Sequence, residues 1–578
     1  MTVKPNKAIN KRIILLEEDG EGDVTALPKK VQKRYQKASL VFGMVKNSLN
    51  KDKFKSLYHE ELFPKVLKIT KEQIQKELLA CIQKSQKVEF SMANIFTCTE
   101  LKTPYFKCVF FEELKKKYPH DDIICITRSK SFLRFNKSKH MIDQEKLIYV
   151  AKEEKSSIQK GIAWFYQALQ FSLVLQILLR LLQSTFFYLL RKFQVSNVIL
   201  KPQAVYFIAP GVRALIKEGE ETVDFYYKEL FSEVNTKYDT VYITKDFSKG
   251  YSYIHHLQVS EFIKGLFSAV KTLKSMRHAN NFCWAACPNL VMNVIELAFL
   301  EKLFCRVRPK ALIFREKFLA MGRGLSLMTK QQNIPTFGFQ KCIESEALAD
   351  CQNIFLYKDL PEIFPDYVLI YGDITEKIYT YLGYPKEKLI KIGSLRLYQS
   401  LLDSRDITKK GKNDIRKDAV AILYLSPNTY EEFKSSYEKI KNKFPTATIS
   451  IRPHPNYGKV FLCENMSRQV FNRDFPEVKV IEAKKETVSM SLSEVDIVFA
   501  TAPTTVIIDA ILMNKKVILL TDEDYLDVYN LLFWGCHKIK DINDFDNYKK
   551  IDNKKRNSLI KELEPRKGLV DIFEKSIG

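Results

Sequence analysis

The segment from Thr448 to Tyr457, Thr-Ile-Ser-Ile-Arg-Pro-His-Pro-Asn-Tyr, runs a short apolar strand straight into a turn holding one guanidinium, one imidazole and two prolines. His454 can donate a hydrogen bond to a phosphate and Arg452 can neutralise one, while Pro453 and Pro455 limit the backbone freedom lost on binding. A structural histidine in a proline-rich turn accounts for the same residues. A second candidate lies between Val495 and Leu512, where a strand and a small-residue turn lead into an apolar helix opened by Thr504 and Thr505. The free N–H groups and dipole of a helix start coincide there with two hydroxyls, which suits an anion, although plain N-capping by threonine needs the same residues. Two anion-friendly strand ends in one half of the chain point to a nucleotide phosphate as ligand.

The elements that must position these groups alternate between short apolar runs and helical stretches. Ala204–Ala209, Thr240–Thr244 and Ala311–Phe314 form one series. Tyr367–Tyr371, Leu389–Ile392, Val420–Leu425, Thr448–Ile451, Val478–Ile481, Ile497–Phe499 and Val517–Leu520 form a second, with a hinge near 345–365. Short runs that are apolar throughout suit parallel strands buried on both faces, and open sheets of that kind bind ligands at the carboxyl ends of their strands. Upstream, Arg12–Leu16 reads as a strand leading into an acidic turn, residues 28–90 read as Lys-rich helix, and Tyr105–Phe111 and Ile123–Thr127 read as strands. The expected division is 1–150, an α/β or α+β region of unknown role; 151–200, an apolar helical segment; 201–350, a Rossmann-like domain; and 351–578, a second Rossmann-like domain holding both anion-friendly strand ends. No internal repeat is visible.

A length of 578 residues with 46% apolar and 28% charged side chains excludes a disordered or collagen-like chain and predicts several domains. The formal net charge of +24 favours an anionic partner: nucleic acid, an acidic membrane surface or a phosphorylated substrate. Eleven cysteines, scattered except for Cys283 and Cys287, and a Lys-rich start without an apparent leader predict a reducing, cytoplasmic setting. Cys283 and Cys287 lack a second pair at zinc spacing and read as buried small hydrophobes, so no metal site is expected. From Gly161 to Leu190 the only charge is Arg180. A polar stripe of Gln176, Arg180, Gln183, Ser184 and Arg191, with Trp164, Phe165, Tyr166, Phe186, Phe187 and Tyr188 towards the ends, fits a helix lying in the membrane interface. A buried or oligomer-forming helix and a true span, which needs about 20 apolar residues, are the other readings.

The stretch from about 305 to 525 resembles the bacterial surface-polysaccharide glycosyltransferases of GT-B fold, especially sialyltransferases, polysialyltransferases and β-Kdo transferases that use cytidine-nucleotide donors. The likeness is carried by the His-Pro of His454 and Pro455 and by the pair Thr504 and Thr505. Asn333–Gln340, Pro365–Gly372, Leu382–Pro385 and Ile392–Arg396 match the family more loosely. The resemblance implies an α/β chain of GT-B fold, two Rossmann-like domains facing a cleft, 201–350 on the acceptor side and 351–578 binding the nucleotide sugar, here with an extra N-terminal α/β region and the apolar segment. It implies metal-independent inverting transfer from a CMP-sugar of sialic acid or Kdo type, with no cofactor besides that donor. The acceptor would be a glycan or glycolipid at the inner leaflet of the membrane, where the protein would be peripherally attached, and a second copy of the chain is a candidate partner.

On this resemblance Arg452, His454, Pro455, Thr504 and Thr505 face the donor phosphate, and Gly393 and Ser394 are candidates for backbone N–H contacts to it. The chain departs from the family where Gln-His-Gly is usual: it has Gln340, Lys341 and Cys342, leaving Lys341 as a candidate phosphate partner. The general base is either Asp19, in an acidic-acidic-Gly motif (Glu18, Asp19, Gly20) that lies unusually early, or Glu316, just beyond the strand Ala311–Phe314. A solvated acidic turn and a surface ion pair are the plain readings of those two carboxylates. Asp509 is as suited to local pairing as to a sugar or ribose. Rival functions are a CDP-glycerol-type polyol-phosphate transferase, a catalytically inactive scaffold, and a nucleic-acid binder; no nucleic-acid motif or basic stripe with interleaved aromatics supports the last, and nucleic acid is not expected as a partner.

Overall fold

The computed structural model describes residues 13–17, 40–43, 54–56, 65–66, 68–70, 72, 108–127, 142–149, 181–186, 188–189, 200–209, 215–218, 221–224, 227–246, 250–251, 257–279, 290–315, 317–344, 354, 361–394, 396–398, 401–402, 420–425, 430–452, 468–481, 486, 488–500, 504–520, 531–539, 542–547, 551–566 and 574. Asp19, Cys283, Cys287, Glu316, His454, Pro455 and the run 161–180 lie outside the described residues. The chain divides into two units: Met1–Val195 with Ile254–Arg306 and Arg323–Met328, and Ser196–Tyr253 with Val307–Gly322 and Thr329–Gly578.

The first unit holds a parallel sheet of β1 (Ile13–Glu17), β2 (Leu40–Gly43), β3 (Phe54–Ser56), β4 (Asp122–Thr127) and β5 (Leu147–Tyr149), in the order β3-β2-β1-β4-β5. This is a doubly wound order, in which the chain works outward from β1 first one way and then the other. Two expectations are corrected here. β2 and β3 fall inside 28–90, which reads as helix because lysines dominate its composition; Leu-Val-Phe-Gly is nevertheless apolar enough to pair with β1. Conversely, the run Tyr105–Phe111, expected as a strand, supplies the start of a helix at 108–117. Short apolar runs do not distinguish buried strand from buried helix, and Leu114, one turn beyond Phe110 and Phe111 and equally buried, completes a helical face. Within that helix Glu113 is buried and accepts from Lys65 and Lys116, both at 2.6 Å, which together hold its carboxyl below the usual range.

The second unit contains two larger sheets. In the first, β6 (Val205–Ala209), β9 (Thr240–Asp246), β10 (Gly250–Tyr251), β11 (Ala311–Phe314), β12 (Thr336–Phe339), β13 (Tyr367–Ile370) and β14 (Leu389–Lys391) are ordered β10-β9-β6-β11-β12-β13-β14, parallel except for β10; β7 (Leu215–Glu218) and β8 (Glu221–Asp224) form a separate antiparallel pair. In the second, β15 (Ala421–Leu425), β16 (Thr448–Arg452), β17 (Lys479–Val480), β18 (Ile497–Ala500), β19 (Lys516–Leu520) and β20 (His537–Ile539) run parallel in the order β17-β16-β15-β18-β19-β20. β13 and β14 were expected to open the second sheet and instead close the first, pairing through β12. The hinge expected near 345–365 therefore precedes two strands of the first sheet, and the sheets part between 391 and 421.

The apolar runs behave as two-faced strands. In β18, Ile497 and Phe499 join one apolar cluster with Ile422, Ile449 and Phe433, while Val498 and Ala500 join another with Ile507, Ile511 and Trp534. Every residue of β11, β12 and β18 is buried, as expected for strands covered by helices on both sides.

Candidate functional site

At the carboxyl edge of the second sheet, Leu425 of β15 is level with Arg452 of β16 on one side and with Ala500 of β18 on the other. The strand order reverses between β15 and β18, the place where open α/β sheets receive ligands. Beyond β18, Thr504 and Thr505 are half-buried at the start of the helix Val506–Leu512. Thr505 occupies the N-cap position, yet its hydroxyl makes no capping bond, so simple N-capping does not account for it.

Arg452 is buried, and its terminal nitrogens are engaged by protein: Nη1 donates to Ser491 Oγ at 2.7 Å and Nη2 to the Glu486 carbonyl at 2.9 Å, while Ser491 Oγ donates to Glu486 Oε1 at 2.7 Å. Burial pulls its pKa below the ordinary guanidinium value, with the charges of Glu486 and Asp509 opposing that shift. The guanidinium thus ties the start of the helix Val488–Ser493 to the strand end, a role the spacing of residues did not disclose. Asp509, one turn beyond Thr505, is 2% exposed and lies with Oδ1 3.9 Å from Arg396 Nη1. Arg396 in turn acts on the buried phenol of Tyr371, which follows β13; burial raises that phenol strongly, and the Arg396 charge and a hydrogen bond with Ser394 pull it back. A buried polar line therefore joins the ends of β13 and β14 to the helix after β18.

Gly393 and Ser394 do not offer the amides expected of them. The Gly393 N–H donates to the Tyr371 carbonyl at 3.0 Å, and the Ser394 N–H donates to the Leu563 carbonyl at 2.8 Å. Gly393 has φ +75 and a Cβ there would collide with the Glu564 backbone, so glycine is needed for the close pass of the C-terminal segment. Ser394 accepts with its carbonyl from the Tyr398 N–H at 2.9 Å and is buried. These two positions are structural.

Gln340 is also structural: its Oε1 accepts from the Tyr371 N–H at 2.7 Å, and its Nε2 donates to the Cys342 carbonyl at 2.9 Å and to Thr375 Oγ1 at 3.2 Å. Lys341 follows it, half-buried, beyond the carboxyl end of β12. Thr375 leads to Glu562, whose carboxylate accepts from the N–H groups of Ile374 at 3.0 Å and Thr375 at 3.1 Å and so caps the helix Asp373–Tyr381 from the helix Asn553–Leu563.

A group that sequence reasoning missed sits beyond β11. Lys317 and Glu344 are each fully buried and paired at 3.0 Å, and the Tyr379 hydroxyl donates to the other carboxylate oxygen of Glu344. The Lys317 ammonium also lies 5.3 Å from the Phe318 ring centroid. Gly338 in β12 was the available signal, because a Cβ there would stand 2.6 Å from Lys317 Cβ. Of the candidate residues, Arg452, Thr504 and Thr505 are brought to one sheet edge, and Lys341 stands at the edge of the other sheet. Asp19 follows β1, and Glu316 lies between the described Arg315 and Lys317.

Two doubly wound sheets in succession within one unit, with a third such sheet upstream, define an α/β protein built from Rossmann-like sheets. No family model matches the chain, and no curated protein does. Among solved structures it is similar to the UDP-GlcNAc 2-epimerase of Neisseria meningitidis bound to UDP-GlcNAc, at 14% identity and TM-score 0.40 over 64% of this chain and 99% of that one. It is similar to the Methanocaldococcus jannaschii UDP-GlcNAc 2-epimerase in complex with UDP-GlcNAc and UDP, at 13% identity and TM-score 0.38 over 64% of this chain and 99% of that one. It is also similar to the wall teichoic acid polymerase TagF, at 12% identity and TM-score 0.36 over 72% of this chain and 98% of that one.

Proposed function

We propose that the chain is a glycosyltransferase that moves a sugar of sialic acid or Kdo type from a CMP-sugar onto a membrane-linked or surface glycan, with inversion and without a metal ion. The observation that carries this reading is the row Arg452, Leu425 and Ala500 at the point where strand order reverses, with the Thr504–Thr505 helix start directly beyond it. The hydroxyls of Thr504 and Thr505 and the imidazole of His454 would receive the donor phosphate as it leaves, which is where negative charge develops. Arg452 would act from behind, holding the Glu486–Ser491 segment and adding its positive field. Glu316 or Asp19 would take the proton of the acceptor hydroxyl. The choice of a cytidine donor rests on the sequence resemblance.

The test is a thermal-shift panel of CMP, CDP, UMP, UDP, GDP and ADP on the whole chain, because a ligand at about 100 times its Kd stabilises by about 2.7 kcal/mol. Stabilisation by CMP, lost in His454→Ala, together with loss of transfer in that variant, is the expected result. A response to CDP alone replaces the reading with polyol-phosphate transfer, and one to UDP or GDP alone with a sugar donor carried on a nucleoside diphosphate. No response to any nucleotide removes the enzyme reading in favour of a scaffold.

A further inference from the structure

The seven-residue helix Val506–Leu512 follows β18 and carries the buried Asp509, with Thr505 at its N-cap. So short a helix makes few hydrogen bonds of its own, and its placement depends on what holds its carboxyl end. There the chain turns through Asn514 at φ 58, and the carbonyls of Asp509, Ala510 and Ile511 accept from the N–H groups of Met513, Lys515 and Asn514. The next carbonyl, that of Leu512, accepts from a side chain 44 residues further on: Arg556 donates to it through Nε at 2.9 Å and Nη2 at 2.6 Å. A guanidinium at a helix carboxyl end meets both the last carbonyls and the negative pole of the backbone dipole.

Arg556 belongs to the helix Asn553–Leu563, which Asp552 caps by accepting from the Lys554 N–H at 2.8 Å. Leu559 and Leu563 of that helix pack in the same apolar cluster as Ile507, Ile511 and Leu512. Its far end grips the first sheet of the second unit. Glu562 caps the helix Asp373–Tyr381, and the Leu563 carbonyl accepts from the Ser394 N–H. Arg556 thus meets a carboxyl helix end and Glu562 an amino helix end, each with the sign that the dipole favours. Arg556 and Leu563 are separated by about 10 Å of helix, at about 1.5 Å per residue. This one rigid element holds Leu512, just beyond Asp509, and Ser394, just before Arg396. The 3.9 Å separation of Asp509 from Arg396 is therefore set between its two grips.

We propose that Arg556 is a positioning residue for the candidate site: from the end opposite Thr505, through the Leu512 carbonyl, it holds in place the helix that carries Asp509 beyond β18. The tie stands on the hydrogen bonds above, and its consequence for nucleotide binding rests on the functional reading of that sheet edge. The test uses the full chain and three variants: Arg556→Gln, Arg556→Lys and Asp552→Ala, the last loosening the same helix without removing the grip on Leu512. Hydrogen exchange at the Met513, Asn514 and Lys515 amides is followed without nucleotide. The Kd of whichever of CMP, CDP, UMP, UDP, GDP and ADP stabilises wild type is measured by titration calorimetry. Arg556→Gln is expected to speed exchange at those amides about tenfold and to raise the Kd about tenfold, and Arg556→Lys, which keeps a donor and the charge, to recover most of both. Asp552→Ala is expected to lower the melting temperature and to leave the Kd and the three amides unchanged. Exchange unaltered by Arg556→Gln overturns the proposal, as does faster exchange with an unaltered Kd. Asp552→Ala reproducing both changes at the same loss of melting temperature overturns it too, because the effect is then general destabilisation. A wild type that binds no nucleotide sinks the transferase reading alone; faster exchange in Arg556→Gln then upholds the tie to the helix, and unaltered exchange overturns it.

Discussion

Arg396, on the segment that leaves the first sheet of the second unit, faces Asp509, on the helix after β18 of the second sheet, with Nη1 and Oδ1 3.9 Å apart. The carboxylate is 2% exposed and also feels the charge of Arg452. One buried anion thus ties elements of both sheets to the edge where the candidate residues gather.

Removing that anion should cost more than removing the pair. Asp509→Ala leaves two guanidiniums without it and is expected to destabilise by about 3 kcal/mol, whereas Asp509→Leu combined with Arg396→Met should lose less. Urea unfolding of these variants and of the singles Asp509→Leu and Arg396→Met decides this; a double-variant loss equal to the sum of the single losses would show that the two side chains do not communicate.

The Lys317–Glu344 pair offers the same contrast in a drier place. Lys317→Met takes the ammonium away from the buried Glu344 carboxylate and is expected to cost about 3–5 kcal/mol. Lys317→Met with Glu344→Gln should recover much of that. A single variant as stable as wild type in chemical denaturation refutes the assignment.

Glu562 links stability to pH. Burial raises its pKa above the ordinary carboxylate value, and the N–H groups of Ile374 and Thr375, though they favour the anion, offset only part of that shift. A folded pKa above the unfolded one means that its contribution is complete below the unfolded pKa and is lost as pH rises through the folded pKa. Glu562→Gln, which keeps an acceptor for the capped helix, should therefore gain stability relative to wild type on going from pH 4 to pH 7. Melting temperatures at the two pH values test the sign, and a relative loss at pH 7 would mean the charged form is the stabilising one.

Gly393→Ala should destabilise by about 2 kcal/mol or more, since φ +75 disfavours a side chain and the added Cβ meets the Glu564 backbone. The same change at Gly372, where φ is extended, meets the Glu562 side chain and backbone rather than a conformational barrier. Differential scanning calorimetry should therefore show whether removal of the acidic side chain by Glu562→Ala relieves Gly372→Ala in part and leaves Gly393→Ala unrelieved.

The amino-acid sequence by itself determined the two-faced strands. Ala-Leu-Ile-Phe at β11 and Ile-Val-Phe-Ala at β18 are apolar at every position, and only burial on both sides accommodates that. It also placed Arg452 and the Thr504–Thr505 pair at strand ends, because strand-to-turn transitions are local. Tertiary structure decided the rest. Tyr367–Ile370 could join either sheet by its own pattern and was claimed by β12. The amides of Gly393 and Ser394 looked available until Tyr371 and Leu563 took them, and the start of the helix Asp373–Tyr381 was closed by a carboxylate 188 residues away. Local periodicity encodes how a segment hides its apolar side chains. Which distant group satisfies its hydrogen bonds is set only when the sheets and the C-terminal helix come together, and that pairing determines which polar groups remain for a ligand.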